Sequence, residues 1–449
     1  MISPGAGGTA TTMWPYHPDL LATPVPRYTS FPTAAEFAPG AFAADQEAQL
    51  AACDGEVSLY LHIPYCDRIC WYCGCNTGAA NKRHRLASYL DALHAEIALV
   101  GARLGPKARV RRIAFGGGSP NAIAPTDFVR LVDALTLHLP LEAPTLSIEL
   151  DPRTLTAEWA AVLRCVGVTR ASLGVQTFAP ALQAAIGRVQ PAETIERVTA
   201  TLRGAGVTSL NFDLMYGLPG QDEAILADCL SRTVALGAER IALFGYAHVP
   251  HLLPRQRRID AAALPGRDER FAMAAMGHDQ LTAAGYAAIG FDHFALPEDA
   301  IAVATRAGRL RRNFQGFTED QAPVLVGLGA SAISSFPGAL IQNEKNAGRY
   351  RMMLSQKRLP AALGVRRDTR DQAIGAAIEA ILCQGTVQLG TLLDADLAVR
   401  LAPFLERGLA RLDGNDLVLS ADALPYARTI AAQLDPYRQP AARRFSSAI

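Results

Sequence analysis

Lysine is nearly absent from this chain: Lys82, Lys107, Lys345 and Lys357 are the whole complement, and the rest of its 43 basic side chains are arginine. Arginine-rich stretches such as Arg109-Val110-Arg111-Arg112 therefore read as compositional bias rather than as a patch built for phosphate. A surplus of either charge is lacking too. The 43 basic residues face 42 acidic ones, and the resulting +1 is too weak a field to gather nucleic acid or an anionic membrane surface. No apolar run approaches the roughly 18 residues of a membrane span. Met1 to Tyr16 has no basic segment followed by an apolar one, so a soluble, cytoplasmic protein is expected. Cysteine is too sparse for a disulfide scaffold. Of the eight, Cys66, Cys70, Cys73 and Cys75 crowd together, while Cys53, Cys165, Cys229 and Cys383 are scattered as small buried residues would be. Disorder is excluded by 50% apolar and 19% charged residues over 449 positions, enough for a large core in one to three domains.

Residues 1–50 are rich in Pro, Gly, Thr and Ala, include Arg27-Tyr28-Thr29-Ser30-Phe31-Pro32-Thr33, and read as an extended arm laid over a domain. From Val57 a rhythm begins. Strand-like Val57–Ile63 is followed by helical Leu86–Leu104, strand-like Val110–Phe115, helical Thr126–Leu139 and strand-like Thr145–Leu150. It continues through Ala171–Val175, helical Thr194–Ala205, Ser209–Met215, helical Glu223–Leu236 and Arg240–Tyr246. Repeated β-then-α units imply an α/β fold, a parallel sheet with right-handed helical crossovers. In such folds function gathers at the carboxyl ends of the strands. Gly116-Gly117-Gly118, Glu149-Leu150-Asp151, Gly174-Val175-Gln176 and Asp213 to Gly217 lie there. The body of this unit spans 51–290. Residues 291–365, with an irregular loop at Arg312 to Gly316, close it, and 366–449 read as a small, mostly helical C-terminal domain with a hairpin signal at Asp413-Gly414-Asn415-Asp416.

Cys66, Cys70 and Cys73 stand in a C-x3-C-x2-C spacing directly after a strand. One short loop can wrap three thiolates around one centre. Zinc prefers four ligands, usually from two separated knuckles, and the chain has no second C-x2-C. A four-iron, four-sulfide cluster (4Fe-4S) can be held by three cysteines with one iron left open. The next strand ends in Phe115-Gly116-Gly117-Gly118-Ser119-Pro120. No Lys-Ser or Lys-Thr pair follows, which argues against a phosphate loop; glycines there let a ligand approach the main chain with no Cβ in the way.

This cysteine spacing after the first strand of a βα repeat resembles the radical S-adenosylmethionine enzymes, whose fold is a partial, three-quarter βα barrel of six repeats. The similarity narrows to the oxygen-independent coproporphyrinogen III oxidase family over essentially the full chain. It is carried by Arg27 to Thr33, Ser58 to Asn76, Phe212 to Pro219, Tyr246 to Pro250 and Asn313 to Thr318. The Tyr-Thr-Ser stretch and Cys75 in Cys73-Gly74-Cys75-Asn76 separate it from haem-chaperone-like and haem-utilisation relatives. The resemblance implies a 4Fe-4S cluster on Cys66, Cys70 and Cys73, with Cys75 near it but unligated. It implies two S-adenosylmethionine molecules per site. Tyr60, Gly117, Glu149 and Ile333 would contact the one on the open iron, with Tyr60 and Glu149 as catalytic candidates. Tyr72, Gly118, Ser119, Gln176, Arg188, Asp213 and Ala247 would contact the second. Ser119 stands where Thr is common and keeps the hydroxyl; Asn121 stands where Thr is frequent, which puts that contact in doubt.

The residues themselves leave alternatives open. Glu149 and Asp151 suit helix caps as well as a ribose or amino group. Asp213 in an apolar strand needs a ribose or an Arg partner. Arg188 suits a surface cation, Gln176 and Ile333 suit core or rim positions, and His62, His248 and His293 suit satisfied core histidines. The implied reaction turns two propionates of coproporphyrinogen III into vinyl groups through abstraction of a β-hydrogen and loss of carbon dioxide, with an external electron donor and acceptor. The family implies a monomer. A haem-modifying relative and a non-catalytic haem chaperone are the competing readings.

Overall fold

Ser58, Tyr60 and His62 alternate with Leu59, Leu61 and Ile63, and a period of two puts the two sets on opposite faces of a strand. The computed structural model, which describes residues 14–80 and 83–438, makes this strand β1 (Glu56–Ile63). Next to it, parallel and in sequence order, lie β2 (Arg109–Gly117), β3 (Leu141–Leu150), β4 (Val168–Gln176), β5 (Ser209–Tyr216) and β6 (Arg240–Gly245). The register runs Leu61 to Phe115, Phe115 to Ile148 and Leu173 to Phe212. These apolar side chains are almost wholly buried. The crossovers carry α1 (Arg83–Gly101), α2 (Pro125–His138), α3 (Ala157–Val166), α4 (Ala192–Gly204) and α5 (Glu223–Ala235), and α6 (Arg267–Ala283) follows β6.

Helix α3 falls where the sequence rhythm showed none. Its signals were nonetheless present: Thr156 accepts from the Trp159 amide at 3.2 Å, and Gly167 ends the helix at φ +79°, in the left-handed region. The segment read as loose beyond 250 also pairs into strands. After β7 (Ala287–Ile289) and β8 (His293–Ala295), the presumed irregular loop at Arg312 to Gly316 is a hairpin of β9 (Arg311–Asn313) and β10 (Gly316–Thr318). Then β11 (Val324–Leu328) pairs in parallel with β1, and β12 (Ile333–Phe336), β13 (Ala339–Asn343) and β14 (Ala361–Arg366) continue the sheet antiparallel. Ala38–Pro39 of the arm pairs with β14 at one edge, so among the described residues the sheet has 13 strands and is mostly parallel at its centre. Among the described residues no pairing joins its two edges.

Residues 1–13 of the expected arm lie outside the described residues, and its last part is a helix, Phe42–Ala51, rather than extended chain. The rest of the arm is tied to the C-terminal segment: Tyr28 Oη donates to Asp435 at 3.0 Å, and the His17 amide donates to Tyr426 Oη at 2.8 Å. Beyond 366 lie helices α8 (Thr369–Gln384) and α9 (Ala395–Glu406), reached through α7 (Ala347–Ser355). The expectation of a mostly helical end omits a three-stranded antiparallel sheet of Thr386–Gln388, Asp416–Leu419 and Ala410–Asp413, whose two-residue turn is the Gly414-Asn415 signal. No helix among the described residues is long and apolar enough to cross a membrane, and all eight cysteines are free.

One buried carboxylate joins α1 to the far side of the sheet. Glu96 is 0% exposed and accepts from the Gly329 amide at 2.6 Å, Asn343 Nδ2 at 2.7 Å and Tyr350 Oη at 2.5 Å. Burial pushes its carboxyl up to about 7, against those three donors. Glu96→Ala would leave the Gly329 amide and the Tyr350 hydroxyl without this acceptor, while Asn343 keeps its bond to the Gly329 carbonyl at 2.9 Å, and equilibrium unfolding by denaturant at neutral pH is expected to show a loss of roughly 3–5 kcal/mol.

Candidate functional site

Inward-facing side chains of β1 to β6 make a polar cavity of about 370 Å³ whose wall includes Ser58, Glu149, Ser172, Asn211 and Asp213. Its floor is closed by charge. Glu319 sits between Arg112 at 2.8 Å, Arg170 and Arg240, and Arg240 also meets Asp299 at 2.7 Å. Despite its burial, these guanidiniums hold the Glu319 carboxyl far below the usual range. With the amino-terminal end sealed, access is from the carboxyl ends, where Cys66, Cys70 and Cys73 follow β1. There a second cavity of about 540 Å³ is lined by Tyr60, His62, Cys75, Gly117, Glu149 and Phe314. Glu149 and Gln315 border both spaces.

The glycine triplet is required by closeness. Gly117 has φ +113°, and a Cβ there would lie 2.7 Å from the His62 ring; at Gly118 it would lie 2.4 Å from the Tyr65 carbonyl oxygen. The Gly118 and Ser119 amides donate to the Ile63 and Tyr65 carbonyls, both at 2.8 Å, and hold the loop against β1. The Gly117 amide donates to Glu149 at 3.2 Å. Burial, and then Asp213, pushes the Glu149 carboxyl up to about 7. Tyr60 Oη lies 3.2 Å from His62 Nδ1, and its ring meets Phe314 edge-on at 4.5 Å. Burial lowers His62 to about 4, so it is neutral at pH 7.

The cysteine loop is surrounded by donors. Ser119 Oγ lies 3.6 Å from Cys66 Sγ, Arg188 Nη1 donates to Cys70 Sγ at 3.2 Å, and Arg153 Nη2 reaches the same sulfur at 3.6 Å. Burial pushes the Cys66 thiol up to about 11, while a hydrogen bond from Cys75 holds Cys73 down at about 6. Among the described residues no three His, Cys, Asp or Glu side chains converge at single-ion spacing, which a structural zinc requires. Three thiols on one loop, spread apart and met by two guanidiniums and a hydroxyl, fit a thiolate-held cluster whose negative charge needs compensation.

Several open alternatives close here. Arg188 is not a surface cation: it is 7% exposed and also donates to the Gly174 carbonyl at 3.0 and 2.7 Å. Asp151 is a cap, accepting from the Arg153 amide at 3.0 Å, and pairs with the Arg153 side chain at 2.6 Å, whereas Glu149 faces the cavity. The partners of Asp213 are Ser172 Oγ at 2.9 Å and Asn211 Nδ2 at 2.8 Å, not an arginine. Asn121 is structural: it donates to the Asp151 carbonyl at 2.9 Å and accepts from the Asp151 amide at 3.0 Å. Gln176 ends β4 at φ +67°, a conformation that costs a non-glycine residue free energy and marks it as held in place. Tyr72 packs beside Leu182, Ile186 and Tyr246. Ile333 and Ala247 each line a separate, smaller cavity rather than the one with Tyr60 and Glu149. Two residues escaped the sequence reading. Arg153 follows Asp151-Pro152 and could have been suspected from that charge pair. Gln256 has no sequence signal, yet its amide donates to the Tyr72 and Ala247 carbonyls at 2.9 and 3.0 Å and joins the cysteine loop to the segment after β6.

Comparison with known proteins agrees with this geometry. Residues 60–231 match the radical SAM superfamily. Oxygen-independent coproporphyrinogen III oxidase of Bradyrhizobium diazoefficiens is 41% identical over 95% of this chain and 97% of its own length. The chain belongs to the oxygen-independent coproporphyrinogen III oxidase family. The Pseudomonas aeruginosa member of this oxidase family is 37% identical over 92% of this chain and 93% of its own. The solved coproporphyrinogen III oxidase of Escherichia coli, described as a radical SAM enzyme, superposes with a TM-score of 0.89 at 32% identity, covering 95% of this chain and all of that one.

Proposed function

We propose that this protein oxidatively decarboxylates two propionate side chains of coproporphyrinogen III to vinyl groups without oxygen, giving protoporphyrinogen IX. The observation that carries this reading is the Cys66-Cys70-Cys73 loop at the mouth of a polar cavity faced by Tyr60 and Glu149, in a chain similar to oxidases of this name over nearly its whole length. A 4Fe-4S cluster with S-adenosylmethionine, when bound, supplies the carbon radical that an unactivated β-hydrogen demands. The chain's own part is to bind, orient and exclude water.

Cys66, Cys70 and Cys73 hold the cluster, and Arg153 and Arg188 balance its charge. Glu149, positioned by the Gly117 amide, and Tyr60 would contact the S-adenosylmethionine at the cluster, whereas a contact from Ile333, which lines a separate cavity, is carried by the family resemblance alone. Tyr72, Gly118, Ser119, Gln176, Arg188, Asp213 and Ala247 surround a second one. Asp213 is well suited to ribose hydroxyls, because Ser172 and Asn211 hold its oxygens without a competing cation. We read β1 to β6 as a three-quarter barrel with its body in 51–290, closed by 291–365 and covered by 366–449. An external donor and acceptor complete the electron balance, and the protein acts as a monomer in the reducing cytoplasm, where cluster thiolates persist.

The test is anaerobic turnover of the reconstituted protein with reductant, S-adenosylmethionine and coproporphyrinogen III. Two 5′-deoxyadenosines per divinyl product are expected, one for each propionate. Deoxyadenosine without decarboxylation would remove the substrate from this reading, and an intact cluster with neither product would remove the activity.

A further inference from the structure

His293 has the surroundings of a working group rather than of a core histidine. It opens β8 opposite Ala242 of β6, and the Leu243 amide donates to the Asp292 carbonyl at 2.8 Å. This pairing seats the imidazole on the wall of the main cavity, on the same lining as Asp213 and Gln315. Phe244 and Phe317 meet the ring edge-on, at 5.5 and 5.4 Å between centres and at 81° and 86° between planes. Two such contacts restrain its rotation. On the side of Nδ1, Asp292 Oδ1 lies 2.6 Å away.

Which nitrogen carries the hydrogen follows from Asp292. Despite its burial, His293 and then Arg312 and Arg27 hold its carboxyl below the usual range. An anion there accepts from Nδ1–H, and in the neutral imidazole Nε2 is then a lone-pair acceptor. Among the described residues Nε2 makes no hydrogen bond. Gly316 adds no side chain over it, where a Cβ would lie 3.4 Å away. The carboxylates on the same lining are already engaged: Glu319 meets Arg112 and Arg170, Asp320 accepts from Ser58, Asp213 accepts from Ser172 and Asn211, and Glu149 accepts from the Gly117 amide. A strong acceptor, fixed by a buried anion and left unbonded at a cavity wall, suits an incoming N–H or O–H donor.

A tetrapyrrole brings such donors in its pyrrole N–H groups. Once a β-hydrogen has been removed, the substrate radical breaks its bond to the carboxylate, releases carbon dioxide and passes one electron to the external acceptor, leaving the vinyl group. No proton is gained or lost. As the electron leaves, the electron-rich pyrrole turns positive and its N–H becomes a stronger donor, so an acceptor already in place stabilises this step more than the bound substrate.

We propose that His293 is a catalytic residue whose Nε2 accepts from a pyrrole N–H of the tetrapyrrole, and that Asp292 is a positioning residue that fixes the tautomer. This rests on the tetrapyrrole reading above. The ribose and adenine of S-adenosylmethionine also carry O–H and N–H donors, and the test separates the two sources.

Reconstituted full-length protein is turned over anaerobically with coproporphyrinogen III, counting 5′-deoxyadenosine per vinyl group, with electron paramagnetic resonance of freeze-quenched samples and equilibrium binding of S-adenosylmethionine alongside. Asp292→Asn keeps the side chain's shape, but its amide can donate to Nδ1, which moves the hydrogen to Nε2 and turns the acceptor into a donor. His293→Phe removes the acceptor and keeps a ring between Phe244 and Phe317. In both, deoxyadenosine per vinyl group is expected to rise roughly tenfold, with a larger substrate-radical signal and with S-adenosylmethionine affinity and iron content unchanged. His293→Gln, which restores an oxygen near Nε2, should recover part of the ratio. A merely structural ring would lower both counts together, so a wild-type ratio in these variants overturns the proposal. Should His293→Phe fail to fold, a wild-type ratio in Asp292→Asn overturns it alone. Weakened S-adenosylmethionine binding in the variants would move the hydrogen bond to that molecule and overturn the pyrrole assignment. A wild-type protein that forms deoxyadenosine without vinyl product overturns the oxidase reading itself.

Discussion

Cys70→Ala is expected to abolish 5′-deoxyadenosine formation and decarboxylation together, a loss on the order of 10³-fold or more, and to strip most of the bound iron. Cys70 is 5% exposed, and its sulfur is where Arg188 and Arg153 meet. Alanine removes one of three thiolates and leaves two buried guanidiniums with Asp151 as their remaining anion. Iron and sulfide analysis with visible absorption provides the check. Cys75→Ala is the control: Cys75 is exposed, and its variant should keep its iron. Iron retained by Cys70→Ala, or lost by Cys75→Ala, would show that the ligand set is drawn wrongly.

Glu149→Gln keeps the shape of the side chain and its bond from the Gly117 amide but removes the anion. Binding of S-adenosylmethionine should weaken by roughly tenfold to a hundredfold, the range for losing a charged hydrogen bond of about 1.5–3 kcal/mol. The pH dependence carries a sharper sign. Because burial and Asp213 raise this carboxyl to about 7, the empty site is protonated below that pH and anionic above it. Wild-type affinity should therefore tighten as pH rises through about 7, and the Gln variant should show no such rise. Equilibrium binding of S-adenosylmethionine between pH 6 and about 8.5 measures both effects. Parallel profiles for the two proteins would remove Glu149 from the binding set.

The sheet was legible wherever a strand carried its own alternation. Ser58-Tyr60-His62 against Leu59-Leu61-Ile63 and Asn211-Asp213 against Leu210-Phe212 each place the cavity lining and the core in one pass. Short strands were not legible. A three-residue strand such as Arg311–Asn313 holds less than two periods of pattern, and its existence depends on partners distant in sequence. Strands β11 to β14 are longer, at four to six residues, yet were not legible within the closing segment because no helix-strand rhythm frames them. The cysteine loop and the glycine triplet were readable because their chemistry lies in spacing and in the absence of Cβ atoms. The supporting contacts were not, since Arg153, Gln256 and Asn121 act through main-chain carbonyls and thiols that only the fold brings near. Asp213 shows the limit well: its burial was foreseeable, but its partners are a hydroxyl from the neighbouring strand β4 and an amide from its own strand, rather than a cation.

The placement of β1 bears on how the protein is made. Val57 pairs with Val110 on one side and with Val324 on the other, so one edge of this strand stays open until nearly three-quarters of the chain has been synthesised. Its partner is among the most distant in the molecule, and such pairings close slowly. Until then the edge is a site for wrong association with other nascent chains. A truncation before Val324 therefore leaves this edge of β1 unpaired and is expected to give an aggregating species rather than a smaller enzyme.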